Sequence, residues 1–523
     1  VDSLTEQFGI RSLEFSPEFG FKLNGKKIFL QGNANHHDLG ALGAASYDRA
    51  IERMMLQLKS FGYNCIRCSH NPYSESFARI ADRVGMLVVN ELTDKWSDND
   101  YWGGRQPFTY LWHKLITEWI KRDRNRPSII LWSLGNELQI REGWAGFEGT
   151  NDWGITTYNI FNQLVKRWDH TRLTTVAMFP ARAGAITRHD KEFNDYLVPP
   201  ELACATEVAS FNYQSDKYDA YLKYQPDLIL FQSEAETSKL LQPYYNMDRK
   251  RTVGMAYWGS AEYWGESNKW PKKGWNYSFF DHTMRPYPQA YLIKSAFMPE
   301  IPEVHIGVVD AAGAESVSWN DVTVGRMALN ECWNHIPGSR QSLFTYTNAH
   351  SVELLVNGQS MGVQQNDTTQ ANLRNMIYWK DVPYGNGGSV VAIARDKSGK
   401  EVARIETAGK AVALQIETET PADWKADGMD LQYINVTAID KKGRPVWDYN
   451  EPLTLQMEGA ARLVALDNGD HYTDELFQGI TSKRMYQGRM QIILRSTKTP
   501  SNVKLKISSA DLKEKLSLKT FLK

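Results

Sequence analysis

At 523 residues the chain is too long for one domain, and two to four domains is the sensible prior. Its 60 basic and 61 acidic residues leave a formal net charge of −1, which excludes the electrostatic footprint of a nucleic-acid or anionic-membrane binder. With 42% hydrophobic residues it can bury large cores, yet it reads as lacking both a membrane-spanning apolar run and a signal peptide at Val1.

In chain order, Phe8–Phe15 alternates like a strand but has no earlier partner. An isolated strand is unstable, so residues 1–19 read as the terminal strand of a truncated immunoglobulin-like sandwich, completed by upstream sequence or by a partner chain. From Ile28 to Ala290, short apolar runs then alternate with amphipathic stretches. The runs are Ile28–Gly32, Cys65–Ser69, Leu87–Glu91, Ile129–Gly135, Leu173–Met178, Val208–Asn212, Leu228–Gln232 and Val253–Trp258; the stretches include Tyr47–Ser60, Glu75–Arg83, Leu111–Asp123 and Thr157–Asp169. Eight strands alternating with helices predict a (β/α)8 TIM barrel over residues 20–300. A doubly wound sheet is the competitor, but no glycine-rich phosphate turn follows the first strand.

Pro299-x-Ile301-Pro302 reads as a linker, after which the pattern becomes β-like with turn signals at Val356-Asn357-Gly358, Tyr384–Gly388 and Asp396–Gly399. Ser351–Val356 and Ser389–Ala394 look like sandwich strands, and a second boundary falls near Ala411–Gln415. Beyond it Ile434–Ile439, Arg462–Leu466 and Met490–Arg495 continue the pattern. The expectation is a multidomain chain whose barrel is followed by two immunoglobulin-like β-sandwich domains, 301–412 and 413–523.

The four cysteines give one Cys65-x-x-Cys68 pair inside an apolar strand, better read as reduced core thiols than as a zinc or redox motif. The 17 Trp and 25 Tyr hint at carbohydrate, since aromatic faces stack on sugar rings, although core packing accounts for them on composition alone.

The most informative chemistry lies at Ile129–Glu137, an apolar strand ending in Asn136-Glu137. A carboxylate at a buried strand tip is costly unless it is partnered or reactive, and at the C-terminal end of a barrel strand it reads as catalytic. The seventh run offers a second, Glu234, with Glu236 a rival of the same strand parity. Strand-end carboxylates on strands four and seven suit a retaining glycosidase, in which one is acid/base and the other nucleophile, about 5–5.5 Å apart. Two structural ion-pair members are the bland alternative. Other strand ends carry Asn33-Ala34-Asn35-His36-His37-Asp38, Arg67-Cys68-Ser69-His70-Asn71, Asn212-Tyr213 and Tyr257-Trp258. Neutral donors and acceptors at these tips suit sugar hydroxyls. Arg67 on the second tip is placed to hold a carboxylate ionised, and Trp258 reads as a floor beside the carboxylates. His36, His37, Asp38 and His70 also allow a zinc reading.

These residues carry a resemblance. Residues 20 to about 295 resemble the catalytic barrel of glycoside hydrolase family two, the β-galactosidase, β-glucuronidase and β-mannosidase group, through Phe21–Lys27, Asn64–Pro72, Trp132–Glu137 and Ser233-Glu234. The downstream segments resemble the C-terminal domains of bacterial members, most clearly at Asp467-Asn468-Gly469-Asp470. The resemblance implies Glu137 as acid/base and Glu234 as nucleophile. It implies Asn136 on the sugar 2-hydroxyl, His36 and His70 as sugar-binding histidines, Arg67 and Tyr213 beside the nucleophile, and Trp258 as a stacking platform. It also implies a periplasmic or secreted bacterial protein.

Five departures narrow the expectation. Asn35 stands where the family often has arginine, and Asn90-Glu91 where Asp-Glu is common. No match for the family's magnesium ligands follows Leu92, so no cofactor is expected to be required, with a divalent cation left open. No Asn-x-Lys appears in the late barrel loops, which argues against a uronic acid. The family's N-terminal jelly-roll is absent from this sequence. The reading is therefore a retaining exo-β-glycosidase, a β-galactosidase before a mannosidase or arabinosidase, and a glucuronidase after those. A carbohydrate-binding protein on a degenerate barrel and a zinc hydrolase are the alternatives from other classes. The expected partner is an oligosaccharide or β-glycoside, with no nucleic acid or membrane and with homo-oligomerisation left open.

Overall fold

The computed structural model describes residues 2–3, 5–96, 108–138, 154–179, 198–267, 270–310, 315–319, 322–395, 400–419 and 423–521. They form two compact units. One comprises residues 1–37, 55–260 and 316–325; the other comprises 38–54, 261–315 and 326–523.

The first unit opens with a three-stranded antiparallel meander, β1 (Leu13–Ser16), β2 (Gly20–Leu23) and β3 (Lys26–Lys27). The strand expected over Phe8–Phe15 therefore starts only at Leu13 and finds its partner within the chain, Leu13 opposite Leu23 and Phe15 opposite Phe21. Phe8 and Ile10 are exposed, while Arg11 between them and the strand donates to the carbonyls of Pro127 and Ile129.

Eight parallel strands follow: β4 (Leu30–Asn35), β5 (Cys65–Cys68), β6 (Leu87–Glu91), β7 (Ile129–Asn136), β8 (Leu173–Met178), β9 (Val208–Asn212), β10 (Leu230–Ala235) and β11 (Gly254–Trp258). They pair in chain order and β11 closes on β4, so the fold is a (β/α)8 barrel. Every residue of β7 is buried, as expected for a strand covered on both faces. The first and seventh strands lie two residues or more further along than their apolar runs suggest. The polar Asn33–Asn35 and Ser233-Glu234 are thus drawn into the ladder.

Helices α1 (Asp48–Ser60), α2 (Glu75–Val84), α3 (Phe108–Asp123), α4 (Ile155–Trp168), α5 (Glu201–Ala205), α6 (Tyr218–Tyr224) and α7 (Gln242–Asn246) separate the strands. The clearest local logic is in α2. The Ser74 side chain accepts from the Phe77 amide at its start, and Gly85 takes the left-handed conformation (φ +70°) that ends it. Cys65 and Cys68 are buried and unbridged in β5, and burial pushes the Cys65 thiol up to about 12.

In the second unit, two sandwiches are each built from a pair of four-stranded antiparallel sheets. The core of the first joins Val308, Leu343 and Trp379 of one sheet to Val352, Leu354 and Ala392 of the other. Leu414, Ile434 and Ile492 face Leu455, Leu505 and Ile507 in the second. The Asn357-Gly358 turn has both residues at positive φ, the type I′ geometry that a two-residue hairpin requires. The turn signal at Asp396–Gly399 lies outside the described residues. Among the described residues no helix is long and apolar enough to cross a membrane.

Candidate active site

All eight residues singled out from the sequence gather in the first unit, at the C-terminal ends of β4, β5, β7, β9, β10 and β11. In a barrel of this kind that is the end where side chains from separate strands converge.

The organising group is Arg67, fully buried on β5. Its Nη1 donates to Glu234 Oε1 at 2.7 Å, and its Nε and Nη2 donate to Glu91 Oε2 at 3.0 and 2.7 Å. Nη2 also donates to Asn136 Oδ1 at 2.9 Å. Burial works against the guanidinium charge, but Glu91 and Glu234 more than offset it and leave Arg67 more firmly protonated than usual. Removing Arg67 would leave two buried carboxylates without their shared cation.

Glu234 is 3% exposed and is gripped from a second side by the Tyr213 hydroxyl, which donates to Oε2 at 2.5 Å. Tyr213 itself sits at φ +60° just beyond β9. Burial pushes the Glu234 carboxyl up; Arg67 opposes this, the charge of Glu137 adds to it, and His70 and Tyr213 pull it down. Burial and the like charge prevail, so the Glu234 carboxyl lies above its ordinary value. Glu236, the rival, is buried but pairs with Lys239 at 3.0 Å. Strand parity does not carry Glu236 beside Glu234, because β10 ends at Ala235 and Glu236 already leads into the following turn.

Glu137 lies just past β7, 5% exposed and at φ +48°. Its amide donates to the Ala177 carbonyl at 2.7 Å and its Oε1 accepts from Asn212 Nδ2 at 3.1 Å. The same Nδ2 donates to Asn136 Oδ1 at 2.9 Å, and Asn212 Oδ1 accepts from Ser233 at 2.7 Å. The two carboxylates are thus bridged through Asn212, Asn136 and Arg67. Gly135 leaves room for this strand end, since a Cβ there would lie 2.7 Å from Trp96 Nε1.

His70 Nδ1 pairs with Glu91 Oε1 at 2.7 Å, and its Nε2 faces Asn136 Nδ2 at 3.4 Å and Glu234 at 3.9 Å. Burial disfavours its charge, but the bond to Glu91 and the Glu91 and Asp94 charges outweigh that and raise it above its ordinary value. Its ring stacks on Trp258 at 5.2 Å, and His36 meets both rings edge-on. One face of the expected sugar platform is therefore occupied by His70.

The zinc reading at these tips is not supported. His37 stacks on Tyr73, and among the described residues His36, His37 and His70 do not form a group whose ligand atoms converge.

Three participants escaped the sequence reading. Glu91 clamps both Arg67 and His70, and its place at the tip of β6 was the available signal. Ser133 donates to that carboxylate at 2.7 Å. Asp94 accepts from Asn136 Nδ2 at 3.1 Å and from Lys95, and its carbonyl takes the Asn136 amide. Burial opposes its ionisation, but His70 and Lys95 hold its carboxyl down at about 2. Asp94 lies in a loop with no periodic pattern.

Comparison with known proteins identifies the family. The family profile "Glycosyl hydrolases family 2, TIM barrel domain" matches residues 18–250, and "Glycoside hydrolase family 2 C-terminal domain 5" matches 414–516. The chain belongs to glycoside hydrolase family 2. A profile of a domain of unknown function covers 338–403 between them.

A beta-galactosidase of Bacteroides ovatus is 27% identical over 98% of this chain and 64% of its own length. A putative beta-glucuronidase of Formosa agariphila is 25% identical over 96% of this chain and 49% of its own. A crystal structure of a family 2 member from Bacteroides cellulosilyticus superposes with TM-score 0.86 at 28% identity, covering 98% of this chain and 65% of that one. The chain thus spans about half to two thirds of the length of these relatives.

Proposed function

We propose that this family 2 chain is the catalytic portion of a retaining exo-β-glycosidase that acts on β-galactosides. The observation that carries the reading is the placement of Glu234 between Arg67 and Tyr213, linked through Asn136 and Asn212 to Glu137. A nucleophile needs a group that keeps it anionic and fixes its direction, which the Arg67 guanidinium and the Tyr213 hydroxyl supply. An acid/base needs a proton that can leave and return. Glu137, whose Oε1 accepts from the neutral Asn212 amide and whose charge acts on Glu234, suits that part.

In this reading Glu137 protonates the glycosidic oxygen as Glu234 attacks the anomeric carbon. The bond to the aglycone breaks and a glycosyl ester forms on Glu234. Glu137, now anionic, takes a proton from water, whose oxygen attacks the same carbon and frees the sugar with its β configuration retained. Asn136 holds the sugar 2-hydroxyl, His36 and His70 bind further hydroxyls, and Trp258 supplies the apolar wall. No step calls for a metal or cofactor. A periplasmic or secreted location is proposed on the family resemblance alone.

The galactoside assignment is supported by the name of the Bacteroides ovatus relative and by the lack of an Asn-x-Lys uronate reader in the late barrel loops. A glucuronidase is the second reading, favoured by the names of the Formosa relatives. A panel of nitrophenyl β-glycosides (galactoside, glucuronide, mannoside, arabinoside) decides the sugar. Proton NMR of the first-formed product decides the stereochemistry. Retention together with a dead Glu234→Gln variant is the expected result. An inverted product, or full activity in that variant, overturns the mechanism; sugar binding without hydrolysis by the active-site sequence as it stands favours a lectin-like role.

A further inference from the structure

The second unit buries a titratable cluster of its own. Glu262, His282, Asp467 and His471 are each 5% exposed or less. Glu262 Oε2 lies 3.2 Å from His282 Nδ1 and 3.1 Å from His471 Nδ1, and one ligand atom from each of these three residues falls within 4.8 Å of the others. Both imidazoles thus turn the same ring nitrogen toward one carboxylate oxygen.

We propose that Glu262, His282 and His471 form a binding site for one zinc-class divalent cation. Three features carry this. First, the two Oε2–Nδ1 separations match the edge of about 3.3 Å of a tetrahedron with metal–ligand bonds of roughly 2.0–2.1 Å. Second, His282 Nε2 is 2.8 Å from Asp467 Oδ1, the outer carboxylate that fixes the orientation of a metal-bound imidazole and strengthens it as a ligand. Third, the far nitrogen of His471, Nε2, has no hydrogen-bond partner among the described residues. The polar contact that orients this buried ring is then the Glu262 oxygen at which the ligand atoms meet.

The surroundings suit the same role. Trp264 lies against both rings, 4.6 Å from His282 and 5.2 Å from His471, and the Tyr287 hydroxyl donates to the other oxygen of Glu262 at 2.8 Å. A small cavity bordered by Asp38, Arg53, Glu262, His282 and Asp467 adjoins Glu262 and His282. Two imidazoles and one carboxylate select zinc-like ions over calcium or magnesium, which prefer all-oxygen sites. His471 reaches the cluster from the Asp467–His471 loop, where the Gly469 amide donates to Asp467 Oδ1 at 3.0 Å. The cation would therefore fasten that loop to Glu262 and His282, giving it a structural role.

The test uses the full chain, stripped with a chelator and then dialysed against Zn2+ or Co2+. The proposal expects one Zn2+ ion per chain by elemental analysis and visible d–d absorption from Co2+ in a site of low coordination number. It also expects a thermal midpoint that rises with Zn2+ and falls again with chelator, since a ligand of the native state stabilises it by mass action. In His471→Gln and Glu262→Gln, which keep side-chain volume, the bound ion, the absorption and the Zn2+-dependent shift are all lost while far-ultraviolet circular dichroism is preserved. The absence of a stoichiometric ion in the unsubstituted chain overturns the proposal and leaves a hydrogen-bonded ion-pair network. Metal uptake undiminished in both variants overturns it equally, because the ion then sits elsewhere.

Discussion

Arg67 Nη1 and Glu234 Oε1 lie 2.7 Å apart, with the two side chains 0% and 3% exposed. The same guanidinium spans Glu91 and Asn136, so one side chain sets the positions of three groups from three other strands. Arg67→Lys is therefore expected to behave as a severe substitution. An ammonium cannot reproduce the planar fork, and breaking a buried charge pair costs about 3–5 kcal/mol. Activity assays and thermal melts should show both a large loss of kcat and a lowered Tm; a variant that keeps wild-type turnover contradicts the assigned geometry.

Tyr213→Phe isolates a single contact. It removes the hydroxyl that donates to Glu234 Oε2 and leaves the ring in place. A hydrogen bond to a charged group is worth roughly 1.5–3 kcal/mol, which corresponds to about 10–100-fold in rate. The loss should fall on kcat with Tm nearly unchanged, and steady-state kinetics beside a thermal melt measures both.

Glu137→Ala should separate acid from nucleophile. General acid assistance contributes about 10²–10⁴-fold, and it matters least when the leaving group is already a good one. Hydrolysis of an alkyl galactoside should collapse, whereas a dinitrophenyl galactoside should still form the glycosyl intermediate in a burst. Equal losses on both substrates would assign Glu137 another role.

Gly135→Ala tests the space at the end of β7. The new Cβ would meet Trp96 Nε1 at 2.7 Å and Leu138 Cδ2 at 3.1 Å, and overpacking of this kind costs about 1–3 kcal/mol. A Tm lowered by a few degrees together with reduced kcat is expected, because Asn136 and Glu137 follow directly.

His70 supplies a pH dependence. Its folded-state pKa is raised above 6.5 by Glu91 and Asp94 despite burial, so the folded state binds its proton more tightly than the unfolded state. The resulting stabilisation is fully present below pH 6.5 and is lost as pH rises through the folded-state value. Melts of the wild type and His70→Gln from pH 6 to 8.5 should converge as the pH increases; a constant gap would mean that this histidine does not titrate differentially.

Much of this arrangement was legible before any coordinates. The alternation of apolar runs with amphipathic stretches determined the barrel, because a strand covered on both faces must be apolar along its length. Glu137 stood out as a carboxylate that such a strand would otherwise exclude, and Asn357-Gly358 marked a hairpin because few residues tolerate two positive φ values in succession.

What the one-dimensional pattern could not decide depended on which strand ends meet. Glu91 was readable only as a strand tip, and its grip on Arg67 and His70 exists because β5, β6 and β7 are neighbours in a closed barrel. What separates Glu234 from Glu236 is their partners, Arg67 and Tyr213 for the first and Lys239 for the second, which parity counting does not contain. Glu262, His282 and His471, distant along the chain and lying in no recognisable ligand spacing, came together only through folding. Periodicity reports how each segment meets its solvent and its core, whereas a site is made of distances between segments, and those are set by closure and packing.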